Sequence, residues 1–576
     1  APGNEVRDYM MATPLVDSVG AALTALQVSG PVYSEFQLNI PFDFEKESRA
    51  WGYADLTENR VDIEAPPMTL EKATGRIHFD NDVVTTSGLS AELLTQPISL
   101  DFRGESAEQG YNVTINTLGD WDVEPLKPYV GERWLKLVSG HAPWQMDIDL
   151  QLNDVGFTYQ LDVLAQLNRL ASQYPYPLAK QVGESGQAKL QASGNQESIS
   201  ARLQIPNAKY QTEIDITGDV PVLTATHLMV GKGGFRISPI VGHDASVRVG
   251  ELNLDQWAEL VQGSEGKQSS SVLASMKTPS IPLPTRIDVE TPNLQLGGIE
   301  FHDVDFSASK KNLSWQLDVD SQEVKGKANY LKPYDLSVSL ERLHLYIPGF
   351  EEMTKERSSL FASEDQNAPL ITNFDRKFHA EMPNLTLNID DFWLQGYKVG
   401  KVNVDLQRRE NRLEWKNITF SSGKNRIDMS GWWDLTKESS HSNLTMKMKG
   451  DNNTDLMERF GITSGIQQAP FEINANMEWD GAPWSMKTQT LQGNVSTEFG
   501  KGLISEVSGA ARLLGLFSLD SIIRKMQLDF TDVFDKGMAF NSITGTGKIQ
   551  DGVFITNDIV MDALAGEMQI RGIANM

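Results

Sequence analysis

The chain has 576 residues, a formal net charge of -26, 40% hydrophobic residues and no cysteine. This length allows several compact domains or one long repetitive body. The acidic balance disfavours nucleic-acid binding, which needs a basic surface, and the lack of cysteine excludes disulfides and thiolate metal ligands.

The N-terminal region, residues 1–30, is predicted to be a helical segment. Thr13-Pro14 is a suitable helix start, the apolar residues that follow share one helical face as far as Leu26, and Gly30 lies just past the end. No run of about 20 apolar residues occurs, so the sequence offers no candidate membrane-spanning helix. Because the chain begins at Ala1 without Met or a signal peptide, we expect it to be a piece of a longer protein.

Residues 31–261 read as a series of short strands in which apolar and polar residues alternate between turn signals. Residues 262–285 are rich in Ser, Gly, Gln and Pro and are predicted to be a flexible segment. The strand pattern resumes over residues 286–500, with a charged surface excursion at 351–375.

The clearest repeat unit lies within residues 400–431. Alternating apolar residues are followed by a charged turn, Arg408 to Asn411. The alternation then slips by one residue between Trp415 and Ile418, as a β-bulge would produce. Similar Gly-bounded units recur along the chain, and they predict a repetitive, mainly β fold with on the order of 28 strands.

Residues 501–527 differ, because their apolar residues repeat at helical spacing and predict an amphipathic helical element. One interpretation is a helix that touches a membrane or acts as a gate. The other is a helix that packs on a sheet edge and covers its unpaired groups. Residues 528–576 return to strand as a C-terminal β unit. The residues of the possible membrane or gating helix are Leu503, Val507, Leu514, Phe517, Ile522 and Met526.

A resemblance to a known family appears in the last 76 residues. Three runs carry it: KGLI-x-EV from Lys501, ARLLGLFSL from Ala511, and LDF-x-DVF-x-KG-x-AF from Leu528. Together they are similar to the C-terminal signature of the YhdP family, within the AsmA-like group of Gram-negative envelope proteins, of which TamB is a more distant member. Tyr9-Met10-x-Ala12-Thr13-Pro14 and the order of strand units extend the resemblance over the whole chain.

The resemblance implies an elongated, twisted antiparallel sheet of repeated strand units forming an open hydrophobic groove, with a few short helices. It also implies a non-enzymatic, periplasmic carrier of phospholipid from the inner to the outer membrane. The implied partners are phospholipid, the inner membrane through an N-terminal anchor outside this chain, and the outer membrane or its proteins. No cofactor is implied.

Alternation alone supports a closed β-sandwich core and an open groove equally, and the resemblance favours the groove. The residues then expected to line the groove are Phe36, Leu38, Ile40, Ile98, Leu100, Phe102, Val113, Ile115, Met146, Ile148, Leu150, Trp315, Leu317, Val402, Val404, Leu406, Ile427 and Met429.

The sequence offers no catalytic or metal motif. The eight histidines lie far apart, with no HExxH pair. Gly545-Thr546-Gly547-Lys548 lacks the following Ser or Thr of a phosphate loop and reads as the start of a strand. Two rival hypotheses are a structural or adhesive β-protein of the envelope, and a polysaccharide-acting enzyme with paired carboxylates in a cleft.

Overall fold

The structure is a computed structural model, and its described residues divide into two compact units, unit 1 within 1–292 and unit 2 within 293–576. The described ranges are 26–39, 49–63, 68–108, 110–131, 135–153, 156–262, 282–331, 334–346, 370–454, 466–504, 538–563 and 566–575.

Unit 1 is built from strands joined mostly by tight turns. They are β1 (Leu26–Ser29), β2 (Tyr33–Asn39), β3 (Arg49–Ile63), β4 (Met68–Asp80), β5 (Val83–Leu93), β6 (Gln96–Ala107), β7 (Gly110–Asp122), β8 (Val138–Asn153), β9 (Gly156–Gln166), β10 (Leu170–Ser172), β11 (Gln187–Asn195), β12 (Ser198–Ile205), β13 (Ala208–Asp215), β14 (Val222–Gly231), β15 (His243–Arg248), β16 (Leu252–Asn253) and β17 (Arg286–Leu296), the last of which continues past the unit boundary.

Pairing in unit 1 follows the chain. Strands β3 to β9 form consecutive antiparallel pairs, and β9 then pairs with β11, which leads through β12 and β13 to β14. β15 lies parallel to both β14 and β17. At the other edge β1 and β2 both pair with β3.

Short helices interrupt unit 1 at two places. A 3-10 turn, Glu124–Leu126, leads directly into α1 (Lys127–Val130), and Pro128 lies in the first turn of α1. A second helix, α2 (Leu254–Gln262), follows β16.

Unit 2 repeats the architecture. Its strands are β18 (Ile299–Lys311), β19 (Ser314–Asp320), β20 (Val324–Leu331), β21 (Asp335–Leu345), β22 (Asn384–Leu394), β23 (Tyr397–Arg409), β24 (Arg412–Ser422), β25 (Asn425–Leu435), β26 (Ser440–Gly450), β27 (Ile466–Gln467), β28 (Phe471–Asp480), β29 (Gln492–Phe499), β30 (Gly502–Ile504), β31 (Met538–Gln550), β32 (Val553–Ala563) and β33 (Gly566–Asn575).

Neighbouring strands of unit 2 pair antiparallel from β18 to β21 and again from β22 to β26, β28, β29, β31, β32 and β33. The exception is β21, which lies parallel to β22. The connection between these two strands contains α3 (Asn373–Glu381), whose N-terminus is closed by a capping box between Thr372 and Asp375. A 3-10 turn, Thr488–Thr490, precedes β29.

The fold class is confirmed as mainly β: predominantly antiparallel strands in open sheet, with a few short helices. The described residues contain 33 strands, somewhat more than the sequence predicted. The phase slip after Trp415 is indeed a register shift, located between Trp415 and Ile418 where β24 pairs with β25.

Three local predictions were wrong. Leu26 lies in β1, paired with Ile63, so the N-terminal helix does not extend through residues 26–29. Leu503 lies in β30, paired with Ala539, and is not helical. Arg408 belongs to β23, so the charged turn shortens to residues 410–411, where Glu410 takes a positive φ of 51°.

Other predictions fall on residues that the structure does not describe. These are the helical segment over residues 1–25, most of the flexible segment (263–281), most of the surface excursion (351–369) and the amphipathic element beyond residue 504. The predicted domain divisions stay predictions.

Candidate functional site

Most long strands of the described residues present one apolar and one polar face, and the apolar faces of successive strands lie on the same side of the sheet. In unit 1, Leu100 lies opposite Thr117, and Thr117 lies opposite Met146. We call this side the inner face and the opposite, charged side the outer face.

Residues that lie directly opposite one another on successive strands form a row, which we call a register row. One such row on the unit 1 inner face can be followed from β5 to β17. Its members are Leu89, Leu100, Thr117, Met146, Val163, Leu190, Leu203, Tyr210, Leu228, Ala245 and Ile287. Thr117 and the tyrosine hydroxyl are its only polar groups. Because neighbouring strands lie about 4.8 Å apart, such a row provides a nearly unbroken apolar path along the sheet.

The inner faces of β3 to β8 line an apolar cavity of about 60 Å³. A single water needs about 10–15 Å³ and two or more polar partners. The only polar residues here are Thr86 and Thr117, and Thr86 already donates to the Arg76 carbonyl at 2.8 Å. The cavity therefore suits hydrocarbon better than water. Its lining is Leu56, Val61, Ile63, Met68, Leu70, Ile77, Thr86, Leu89, Leu93, Ile98, Leu100, Phe102, Ile115, Thr117, Met146 and Ile148.

Burial of the inner face changes along unit 1. Ile148 in β8 is 1% exposed, whereas Leu203 in β12 is 36% exposed and Leu228 in β14 is 38% exposed. These two leucines flank Tyr210 in the same register row. The sheet thus buries its apolar side chains over β3–β8 and leaves them accessible over β12–β14.

Unit 2 carries an equivalent row that is apolar throughout. It runs from β18 to β31 through Ala308, Leu317, Ala328, Val338, Leu387, Val404, Ile418, Met429, Met446, Ala475, Val495 and Gly547. At a spacing of about 4.8 Å per strand this is roughly 50 Å measured along the sheet. Inner side chains of β19 to β22 are half-buried, and those of β28 to β32 are mostly buried.

The buried part of unit 2 is rich in methionine. Met477 and Met561 belong to its cluster of buried side chains, and further methionines pack against that cluster. Methionine is flexible and fills irregular spaces, so the packing of this segment can adjust. The packing methionines are Met429, Met446, Met448, Met486 and Met568.

Helix α3 covers the inner face near the turn between β23 and β24. Phe378 of α3 lies 5.0 Å from Trp484, measured between ring centroids, and His379 lies 4.9 Å from Trp433, which is fully buried. Asp375 accepts a hydrogen bond from Trp484 Nε1 at 3.1 Å. Burial lowers the pKa of His379, with a further contribution from the positive charge of Arg408.

The predicted lining residues in the described ranges all lie on inner faces, in two groups. Those in β6, β7 and β8 are buried or partly buried, and most of them line the unit 1 cavity, while Phe36 and Leu38 in the edge strand β2 are about half exposed. The unit 2 group lies in β19 and β23–β25. Ile40, Val507, Leu514, Phe517, Ile522 and Met526 lie outside the described residues.

Sequence reasoning missed many inner-face positions that alternate in the same way. Examples are Leu56 and Leu70 in unit 1, and Val338 and Leu387 in unit 2. Their alternation was visible in the sequence, but register alone reveals that they share rows with the predicted residues.

The outer face is charged, and many of its ions are paired, either across neighbouring strands or two residues apart along one strand. Arg76 contacts Asp55 at 2.7 Å, and Arg426 contacts Asp428 at 2.7 Å. Such exposed pairs contribute little stability, typically about 0–1 kcal/mol each, but they keep this face hydrated. Within the described ranges, no cluster of His, Asp or Glu is arranged to hold a metal ion.

These features define a mainly β protein whose repeated strands present a long apolar inner face and a charged outer face. The chain belongs to the YhdP family, because the family model described as YhdP protein matches residues 1–576. The resemblance seen in the sequence is thereby confirmed.

A curated relative from Escherichia coli (strain K12), named Intermembrane phospholipid transporter YhdP, is 26% identical over 581 residues. The match covers 100% of this chain and 44% of the relative, so the chain spans less than half of that protein's length. No solved structure matches the chain. In the part of the chain that the structure describes, no helix is both long and apolar enough to cross a membrane.

Proposed function

We propose that this chain carries phospholipid between membranes, with the acyl chains held on the apolar inner faces of its two units. The observation that supports it most is the unit 2 row from Ala308 to Gly547, which is apolar on every strand it crosses. The printed name of the Escherichia coli relative, an intermembrane phospholipid transporter, points to the same ligand.

Carrying an acyl chain through water requires a continuous apolar surface on the protein. Each methylene exposed to water costs about 0.8 kcal/mol, so an acyl chain of about 16 carbons needs apolar contact along its whole length. Register rows supply that contact from strand to strand, while the ion pairs of the outer face, such as Arg76 with Asp55, keep the protein hydrated.

The proposal includes no chemical change of the lipid, and the chain acts as a carrier and not as an enzyme. We place it in the periplasm, where it would link an inner-membrane anchor outside this chain to the outer membrane or a protein there. The predicted lining residues from Phe36 to Met429 are proposed to contact acyl chains.

Two measurements test the proposal. The purified chain is extracted with organic solvent and its lipids are identified by mass spectrometry, with a heat-denatured sample repurified from detergent as the blank. Transfer of an acyl-labelled phospholipid is then followed from donor to acceptor vesicles made of phosphatidylethanolamine and phosphatidylglycerol.

We expect stoichiometric phospholipid in the extract and transfer that rises with protein concentration. An extract that matches the blank, together with transfer no faster than without protein, would refute the proposal. In that case a structural role in the envelope would explain the apolar faces better.

A further inference from the structure

Arg408 places a positive charge on the apolar inner face of unit 2. It lies opposite Leu413 in the pairing of β23 with β24, and Leu413 lies opposite Trp433 in β25. Both of these neighbours are fully buried members of an apolar cluster. Arg408 is therefore on the same side of the sheet as Leu406 and Val404, one step nearer to the turn.

The guanidinium of Arg408 is only partly satisfied. Its Nε donates to the Met382 carbonyl at 2.9 Å, but Nη2 is buried without a hydrogen-bond partner, and no carboxylate of the described residues forms an ion pair with it. Burial lowers its pKa. A buried donor left unpaired is unfavourable, so this group is a candidate to receive a ligand.

Neighbouring arginines show that the arrangement is particular to Arg408. Arg409, the next residue, points to the outer face and contacts Glu414 at 3.3 Å. Arg412 contacts Asp434 at 2.6 Å through Nε. Each of these guanidinium groups has an acidic partner within the sheet, whereas the group on the inner face has none in the described part of the chain.

A second unpaired polar atom lies close by on α3. His379 is 5% exposed, and its Nε2 has no hydrogen-bond partner, although the imidazole also lies near the backbone of Trp433 and Asn411. Arg408 donates to the carbonyl of Met382, the residue that caps the C-terminus of α3, so its guanidinium lies at the same end of the helix as His379. Trp433 packs against His379, so the two polar groups lie beside an aromatic and otherwise apolar surface.

We propose that Arg408, with His379 beside it, binds the phosphate of a phospholipid whose acyl chains lie along the unit 2 inner face. A guanidinium recognises phosphate through two parallel, charge-assisted hydrogen bonds, which makes arginine the preferred residue for this group. The inference rests on the proposed function, because the acyl chains and the phosphate belong to one ligand.

The position of Arg408 matches the shape of such a ligand. It lies near the end of β23, close to the turn at Glu410, while Leu406 and Val404 continue inward from it on the same face. An amphiphile can therefore place its head at the rim of the sheet and its tails on the apolar rows. A free phosphate ion would use the same two groups but not the rows.

The test compares two probes of matched acyl length on the 576-residue chain. One is a phosphatidylglycerol with a fluorescent acyl group, and the other is a diacylglycerol with the same label and no phosphate. Affinities are measured for the wild type, Arg408→Gln, Arg408→Lys and the control Arg409→Gln, which alters the neighbouring residue on the opposite face. Glutamine can still donate to the Met382 carbonyl, and circular dichroism checks that each variant is folded.

We expect the wild type to bind phosphatidylglycerol at least tenfold more tightly than diacylglycerol. Arg408→Gln should weaken phosphatidylglycerol binding roughly tenfold and leave diacylglycerol binding unchanged, because only the charge-assisted bonds are lost. The affinity of Arg408→Lys for phosphatidylglycerol should lie between those of the wild type and Arg408→Gln, and Arg409→Gln should bind both probes as the wild type does. Competition by millimolar inorganic phosphate would show that the phosphate alone is recognised, and its absence would assign recognition to the lipid headgroup held by its tails.

Two results distinguish a failure of the phosphate site from a failure of the proposed carrier function. If folded Arg408→Gln and Arg408→Lys bind phosphatidylglycerol as the wild type does, the phosphate site is refuted while the carrier function stands. If the wild type binds neither probe, the proposed function itself fails.

Discussion

Replacing Val404 by glutamate tests whether the unit 2 inner face carries acyl chains. Val404 lies half-buried between Leu387 and Ile418 in the continuous apolar row. A strand spacing of about 4.8 Å corresponds to roughly four methylenes of an extended acyl chain. Losing their contact at about 0.8 kcal/mol each removes about 3 kcal/mol of binding free energy. We therefore expect Val404→Glu to bind an acyl-labelled phospholipid about 100-fold more weakly.

The matched control is Asn403→Glu. Asn403 is the preceding residue of β23, is exposed on the outer face, and lies between Asn388 and Thr419, so a carboxylate there remains hydrated. This variant should keep wild-type affinity. Binding is measured by fluorescence titration, after circular dichroism and thermal melting show that both variants are folded. A folded Val404→Glu protein with wild-type affinity would refute the assignment of this face to lipid.

Three further predictions concern the stability of the sheet and of α3. A side chain at Gly547 would overlap the ring of Phe554, so Gly547→Val should lower the free energy of unfolding by about 1–3 kcal/mol; an unchanged denaturation midpoint in urea would contradict this. His227 is buried, and its pKa is lowered mainly by burial and further by the positive charge of Arg236. As the pH falls, the imidazole therefore binds a proton in the unfolded state at a higher pH than in the folded state. Stability should therefore fall as the pH drops below about 6.5, and His227→Gln should make thermal melting less dependent on pH over that range; identical pH profiles would show that His227 does not contribute. Asp375→Ala removes the acceptor of Trp484 Nε1 and of the Thr372 amide, which should cost about 1.5–3 kcal/mol per bond and increase hydrogen exchange over residues 373–381; exchange as slow as in the wild type would show that α3 is held by other contacts.

Much of the fold was predictable because period-two alternation is a local signal. The run Val402, Val404, Leu406 predicted one inner face, and the slip after Trp415 predicted a bulge at the position where the register shifts. Strand identity and side-chain direction both follow from a few neighbouring residues.

Register was not predictable in the same way. Leu317 and Val404 share a row only because four successive strand pairs align, one of them the parallel pair of β21 and β22. A shift of two residues in any pair would leave the alternation unchanged, so the sequence does not distinguish the possible alignments.

Arg408, which we propose binds phosphate, was missed for a different reason. Arg408 was assigned to a turn because it is charged and precedes Arg409, Glu410 and Asn411. A two-residue turn suffices here, which leaves Arg408 within β23 on the apolar side. Leu503 was misplaced because helical spacing in a short run does not exclude a strand, and pairing with Ala539 decides its conformation.

Helix α3 ties together parts of unit 2 that are far apart in sequence. Arg376 donates to the carbonyl of Lys437 at 3.2 Å, in the turn after β25, and Asp375 holds Trp484 in the loop after β28. These hydrogen bonds connect α3 to two consecutive hairpins, so the strands beneath the helix cannot separate independently. This sheet can therefore widen most easily to admit a bulky molecule away from α3, towards β19–β21, where the inner side chains are only half-buried.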